Sequence, residues 1–399
     1  MKRTSTINKR GLISVQRHIV VFMHPWAGYL EEACLGIADY FLQRPDWLCT
    51  RLLPVPEDYQ RLPHLKADGI ISRVEPDNLS LLRKMKVPVV DIANWMSEQY
   101  FPRVLCDDAA AGKMAAEHLL DLGLKHYGII GPTHAAFHNI RHEHFERRLA
   151  QDGYVLHAPK IQHKPQPADA LMPLELDQKL GQWLVGLPKP IGLFATTDHV
   201  AAFVLEICHK MALRVPEDVC VIGVDNDQLV SGFARPPLTT IAIPSRKIGF
   251  EAARLLEKMM DGQAPHSMNI LLQPNGVITR QSTDLLMVPD EDVQTAMRYI
   301  RERIHDKITV SDVLEAVPVN RRYLERKFLK HLGRTPLQEI RRVRIDRAKD
   351  LLQSTDLPMV NIAKRSGFAN AQRLAETFRQ VTGLTPSAFR HANRNDELI

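Results

Sequence analysis

Cysteine is sparse in this chain and scattered. The five present, Cys34, Cys49, Cys106, Cys208 and Cys220, include no C-x-x-C pair, which excludes a disulfide framework or a zinc ribbon as the organising device. Reduced thiols in a cytoplasmic protein are the simplest account. No apolar run reaches membrane-spanning length. The run from Ile19 to Met23, behind a basic amino terminus (Lys2, Arg3, Lys9, Arg10, Arg17), is too short for a signal-peptide core. Also missing are G-x-S-x-G, a Walker loop, G-x-G-x-x-G and H-E-x-x-H, and with them the commonest hydrolase, nucleotide and metalloprotease sites. Cys106 beside Asp107 and Asp108 comes nearest to a nucleophile, but no base accompanies it, so an enzyme is not expected. His134, His138 and His142 fall four apart with no carboxylate or cysteine motif to complete a metal site. They are expected at a cleft rim or on the surface, and no cofactor is expected.

Length and charge bound what remains. At 399 residues the chain is too long for one ordinary core, while 45% hydrophobic and 25% charged residues describe a globular protein of two or three domains. Residues 290–399 hold 21 Lys+Arg against 15 Asp+Glu, and residues 1–289 hold 31 of each, so the whole net charge of +6 sits at the carboxyl end. A neutral body with a basic end fits a nucleic-acid-binding module attached to a larger domain.

From His18 onward, apolar runs alternate with amphipathic helices. Ile19 to Phe22, Gly69 to Ser72, Val87 to Asp91, Tyr127 to Gly131, Gly192 to Ala195 and Cys220 to Val224 read as central strands. Helices from Gly28 to Gln43, Ala109 to Leu122 and Ala201 to Met211 come between them. Continuous apolar strands separated by helices predict parallel sheets covered on both faces. Ligands of such sheets sit beyond the carboxyl ends of the strands, which singles out Trp26, Asp91, Phe137, Arg141, Thr197, Asp198 and Asp225. Carboxylates, a guanidinium and an aromatic ring facing one cleft suit a polyhydroxylated ligand, whose buried hydroxyls need partners and whose apolar face stacks on a ring. Plainer readings stand beside this one. Asp225 is also a good turn residue, Arg141 can pair with Glu143 or Glu146, and Trp26 can be core packing.

The last hundred residues change pattern. Thr309 and Asp312 form a capping-box spacing before a short helix, Pro318-Val319-Asn320 turns, and Arg321 to Leu332 makes a second helix with Leu324, Phe328 and Leu332 as its buried stripe. A long helix, Pro336 to Ser354, follows with Leu337, Ile340, Val343, Ala348 and Leu351 on its buried side. The pattern then repeats: a turn at Gly367 precedes a helix from Ala371 to Thr382, on which Leu374, Phe378 and Val381 share the core face. Opposite those stripes lie arginines and carboxamide or carboxylate groups able to hydrogen-bond base edges and phosphates.

The turn Ala363-Lys364-Arg365-Ser366-Gly367-Phe368, the Leu374/Phe378 spacing and the terminal Gly-x-Thr-Pro-x-x-Phe-Arg resemble the DNA-binding domain of AraC-type bacterial regulators, over about Val293 to Arg394. The resemblance implies two recognition helices in successive major grooves of double-stranded operator DNA. It carries DNA contact onto Arg321, Arg322, Glu325 and Arg326 in the first and onto Gln372, Arg373 and Glu376 in the second. Pro318 departs from the glycine usual at the first turn, and proline cannot supply a left-handed residue there.

Upstream, Pro216-Glu217-Asp218-Val219 running into Ile222-Gly223-Val224-Asp225, with Pro236-Pro237-Leu238-Thr239-Thr240, resembles the effector-binding core of LacI-type repressors, itself similar to periplasmic sugar-binding proteins. That resemblance covers about His18 to Thr283 and implies an effector between two lobes, hydrogen-bonded by Asp225 and Arg141. Thr197 stands where asparagine is common in the family.

The expectation is therefore an α/β, two-lobed, periplasmic-binding-protein-like core with parallel sheets over residues 18–286, preceded by a basic extension, 1–17. An all-α domain with two helix-turn-helix units over 290–395 follows. This order of parts resembles regulators of pentose operons. It implies a transcription regulator responding to a small sugar, a xylose-like pentose above all, working as a homodimer and, as an activator, with RNA polymerase. A repressor released by its sugar, or a sugar-binding protein with no sequence-specific DNA binding, are the alternatives.

Overall fold

The computed structural model describes residues 17–24, 28–159, 174–285, 290–355 and 357–395. Trp26, Pro289 and the basic residues before Arg17 lie outside the described residues. The chain divides into two compact units, Met1–Asp284 and Leu285–Ile399. No helix among the described residues is long and apolar enough to cross a membrane.

In the first unit, one lobe carries β1 (Arg17–Phe22), α1 (Gly28–Phe41), β2 (Trp47–Leu52), α2 (Pro56–Arg61), β3 (Gly69–Ser72), α3 (Pro76–Lys84), β4 (Val89–Asp91) and β5 (Arg103–Cys106). The chain crosses to the other lobe for α4 (Asp108–Asp121), β6 (His126–Ile130), α5 (Ala136–Ala150), β7 (Leu156–His157), α6 (Leu174–Gly186), β8 (Ile191–Ala195), α7 (Asp198–Lys210), β9 (Val219–Asp225), α8 (Gln228–Phe233) and β10 (Thr239–Ala242). It returns for α9 (Ser245–Met260) and β11 (Asn269–Leu272), then crosses a third time to β12 (Gly276–Ile278). Each lobe is built on one six-stranded sheet, ordered β11-β5-β4-β3-β1-β2 and β12-β10-β9-β8-β6-β7. The printed pairings are parallel except β10 with β12, where the last crossing brings the chain back as an antiparallel edge. The central strands are buried on both faces, which is why their sequences are apolar without alternation.

Closure of the first lobe depends on one helix crossing. A Cβ added at Gly36 of α1 would lie 1.8 Å from the Arg246 carbonyl oxygen, and one at Gly249 of α9 would lie 1.9 Å from that of Ala33. The two backbones touch through reciprocal glycines, and Arg246 ties the pair further by donating to Asp39 at 2.6 and 3.0 Å.

The second unit consists of α10 (Glu291–Glu302), α11 (Val310–Ala316), α12 (Arg321–Leu332), α13 (Pro336–Ser354), α14 (Met359–Arg365), α15 (Ala371–Thr382) and α16 (Pro386–Asn395). It has two small cores. Val293, Ile300, Val313, Leu324 and Phe328 build one, and Ile362, Ala363, Leu374 and Phe378 build the other. Helix α13 serves both, giving Ile340 and Val343 to the first and Ile345, Ala348, Leu351 and Leu352 to the second. Thr335 and Gln338 cap its start reciprocally, so a single well-started helix holds the two helix-turn-helix units together.

Two expected core positions are corrected. Leu337 is 42% exposed and Val381 54% exposed. Leu337 lies in the first turn of α13, ahead of Ile340, where the core begins. Val381 lies in the last turn of α15, past Phe378, where Phe389 packs edge-on at 5.3 Å. Sharing a helix face does not bury a residue once the helix outruns its neighbours. The Pro318 turn closes without a left-handed residue: Val317 is extended (φ −122, ψ 101), and Asn320 caps α12 by accepting from Tyr323 N at 2.8 Å. The second turn uses Gly367 at φ +74, where a Cβ would lie 2.3 Å from the Ile304 carbonyl oxygen.

Gly36→Ala places a methyl inside this backbone contact and is expected to destabilise the first unit by about 1–3 kcal/mol or more, because overpacked sites must shift backbone. Gly186→Ala, with nothing within 4 Å of the added Cβ, is expected to leave the thermal midpoint almost unchanged. Equal midpoints for the two variants would show that the α1/α9 crossing tolerates separation.

Candidate functional site

Between the lobes, the carboxyl end of β9 leads into a backbone that only function or tight support explains. Asp225 has φ +122 and Asn226 φ +55, conformations that non-glycine residues avoid and that cluster at ligand sites. Support comes from within the same lobe: Arg280 Nη2 donates to Asn226 Oδ1 at 2.8 Å, and Asn226 N donates to Thr240 Oγ1 at 3.2 Å. Burial pushes the Asp225 carboxyl up to about 7; Arg141 opposes this, while Asp227 and Asp108 add to it.

Arg141 projects from α5 with its guanidinium buried, donating from Nε to Asp108 Oδ1 at 2.8 Å and from Nη1 to the Thr196 carbonyl. Its guanidinium carbon lies 5.0 Å from the centre of the Phe137 ring. Asp108 also accepts from Asn94 Nδ2 across the cleft at 3.0 Å. The sequence alternatives Glu143 and Glu146 are not its partners: Glu143 pairs with Arg147, and Glu146 lies 4.0 Å from His142.

Three predicted ligand residues are engaged by the protein itself. Asp198 is fully buried and accepts from Thr240 Oγ1 at 2.6 Å and Asp227 N at 2.9 Å. Thr197 caps α7 by accepting from Val200 N at 3.2 Å. Asp91 accepts from Val74 N, Ala93 N and Arg103 Nε at 3.2, 3.0 and 3.2 Å. The described residues thus bring Phe137, Arg141 and Asp225 together, with Asp91, Thr197 and Asp198 holding the walls.

Four neighbours escaped the sequence. Tyr29, in the first turn of α1, donates to the Ile92 carbonyl; burial raises its pKa, and so do the nearby Asp91, Cys106, Asp108 and Asp225. Trp95 packs edge-on to His134 at 5.2 Å, lies 6.0 Å from Phe137 and carries Arg73 over its ring at 4.3 Å. Asn94 and Asp108 complete the group. The only signal was position after a strand end, which Tyr29 and Asp108 conceal by standing on helices. Burial first, then His142, Arg141 and His134, holds His138 down at about 4, so it is a neutral partner of Thr196 Oγ1 at 3.0 Å. Among the described residues no group of three or more His, Cys, Asp or Glu is arranged to hold a metal ion.

In the second unit, both predicted recognition faces are exposed and locally paired. Arg321 donates to Glu325 at 2.9 Å, and Arg326 leans over Tyr323 at 5.3 Å, with Arg322 on the same outer side of α12. On α15, Gln372 and Arg373 both donate to Glu376, at 3.0 and 3.2 Å. Exposed pairs of this kind are worth only about 0.3–0.5 kcal/mol, so the side chains are readily released to another partner. A shallow recess of about 390 Å³ lined by His305, Asn361, Lys364 and Arg365 adds further cations.

Residues 116–283 match the Periplasmic binding protein-like domain family, and residues 313–392 match the Helix-turn-helix domain family. The xylose operon regulatory protein of Haemophilus influenzae is 33% identical over 334 residues, spanning 82% of this chain and 85% of the relative. That of Escherichia coli K12 is 29% identical over 400 residues, spanning 95% and 98%. A solved xylose-binding transcription activator superposes with a TM-score of 0.72 at 26% identity, over 94% of this chain and 98% of the other. A LacI-type regulator from Alkaliphilus metalliredigens, solved with D-xylulofuranose, shares the fold of the core with a TM-score of 0.54 at 20% identity, over 67% and 99%.

With Asp225 titrating near 7 when folded and near 3.8 in an ordinary environment, the folded state binds more protons between those values. Stability is therefore expected to fall as pH rises through that window, the direction linkage requires when the native state holds the extra proton. Thermal midpoints of Asp225→Asn measured across the same range should fall less steeply; an unchanged slope would place the titration elsewhere.

Proposed function

The chain belongs to the family of xylose operon regulatory proteins and is a sugar-responsive, DNA-binding transcription regulator; from that premise we propose that its effector is xylose or a close pentose and that it activates the operon handling that sugar. The observation that carries this reading is the span of the similarity, which runs through the sugar-binding core and the helix-turn-helix unit together in the same order.

In this reading Asp225 and Arg141 hydrogen-bond the sugar hydroxyls, and Phe137 stacks on its apolar face. Asp91, Thr197 and Asp198 are proposed to act by holding the strand ends that present these groups, and Trp26 to complete the aromatic wall. Sugar favours the closed lobes, and closure favours the operator-binding arrangement, because a ligand shifts an equilibrium only through its preference for one state. Arg321, Arg322, Glu325 and Arg326 are proposed to read one major groove, and Gln372, Arg373 and Glu376 the next. Lys364 and Arg365 are assigned to backbone phosphate. We further propose a cytoplasmic homodimer that contacts RNA polymerase.

Calorimetry of the purified chain against a panel of pentoses and hexoses tests the effector: xylose should bind most tightly, and Asp225→Asn should abolish the preference. Arg326→Ala is expected to cost about 1–3 kcal/mol of operator affinity and relax specificity at one base pair. Lys364→Ala is expected to weaken operator and random DNA alike and to make the salt dependence shallower. Unchanged specificity in Arg326→Ala would displace the recognition face from this side of α12. Release of operator by sugar would make the protein a repressor.

A further inference from the structure

We propose that Gly28 and Asp227 form a latch between the lobes that sets how tightly the sugar binds without either residue touching it. The inference rests on the reading of the interlobe cleft as the sugar site.

Gly28 opens α1 in the first lobe, and Asp227 precedes α8 in the second. Asp227 Oδ2 accepts from Gly28 N at 2.9 Å, while Oδ1 accepts from Leu229 N and Val230 N at 2.8 and 3.1 Å. One carboxylate thus caps its own short helix and the amino terminus of a helix in the facing lobe. Its mount is stiff, since Asp227 N donates to the buried Asp198. A side chain at position 28 would displace the carboxylate: an added Cβ would lie 2.5 Å from Asp227 Oδ2 and 2.6 Å from Cγ, so the Asp227 side chain would have to shift.

A second clasp closes another part of the cleft. Ala136 N and Phe137 N, at the start of α5, donate to the carbonyls of Trp95 and Asn94 in the first lobe at 2.9 and 2.8 Å. No side chain caps α5 from its own lobe, so opening the lobes leaves these amides to water. Both clasps join protein to protein. They favour closure before any sugar arrives, and the apparent dissociation constant equals the intrinsic one divided by the fraction already closed. Lowering that fraction from about a half to about a tenth weakens sugar binding about fivefold.

Gly28→Ala in the full chain is the test. Alanine is the better helix former, so the substitution opposes closure without harming α1. The xylose dissociation constant measured by calorimetry is expected to rise about fivefold or more. In the sugar-free protein, hydrogen exchange at Ala136 and Phe137, in the other clasp, is expected to quicken, a response that a purely local defect at position 28 would not produce. Asp227→Asn gives a second variant: its amide oxygen keeps the α8 cap, while its NH2 group cannot accept from Gly28 N. Wild-type xylose affinity together with wild-type exchange in both variants overturns the latch. If the wild-type chain binds no sugar at all, the sugar assignment fails, and the exchange rates alone still decide whether the latch exists.

Discussion

A guanidinium buried between two lobes must be matched by carboxylates, and much of the first unit can be understood from that need. Arg141 is matched by Asp108 at 2.8 Å, and Asp225 lies near enough to favour its charged form. Removing one partner of such a buried pair typically costs about 3–5 kcal/mol because the other charge is stranded. Among the described residues Asp225 has no such bonded cation, and burial pushes its carboxyl up to about 7. Hydroxyl groups can both donate to a carboxylate and accept from a guanidinium, which is the chemistry that the proposed sugar contacts to Asp225 and Arg141 rest on.

The strands legible in the sequence, β1, β3, β4, β6, β8 and β9, carry runs that are buried and mostly apolar, whereas β5 and β10, just as deep in their sheets, were missed because Arg103 and the Thr239-Thr240 pair interrupt the apolar pattern. The edges were not legible. β2 and β11 expose alternate or adjacent residues, β7 is two residues long, and β12 pairs antiparallel after the third crossing. Each owes its place to a neighbour rather than to its own pattern. The same distinction runs through the site. Asp225 and Arg141 could be picked out from residue type and position, whereas Asn94 and Asp108 come from opposite lobes and are brought together only by the fold. Asp198 has the residue type of a ligand, yet Thr240 and the Asp227 amide take up its carboxylate. Residue type and strand-end position identify the cleft, but they do not separate groups that face it from groups that support it.

The second unit was legible almost throughout because its helices carry their own start signals. Asn320 and Asn370 cap α12 and α15, Thr309 and Asp312 form the capping box of α11, and glycines at φ +65 and φ +77 end the two recognition helices. The errors fall at helix ends, at Leu337 and Val381, where periodicity continues past the core. The two small cores share α13, so the spacing between recognition helices is fixed by one rigid rod.

Coupling between the sugar and the operator is the central claim, and thermodynamic reciprocity gives its most direct measurement. Xylose affinity of the full chain should be determined with and without saturating operator DNA, and operator affinity with and without saturating xylose. The account predicts that DNA tightens xylose binding by the same factor, greater than one, by which xylose tightens DNA binding. A xylose affinity that ignores the operator would contradict it, because the two units would then bind their ligands independently.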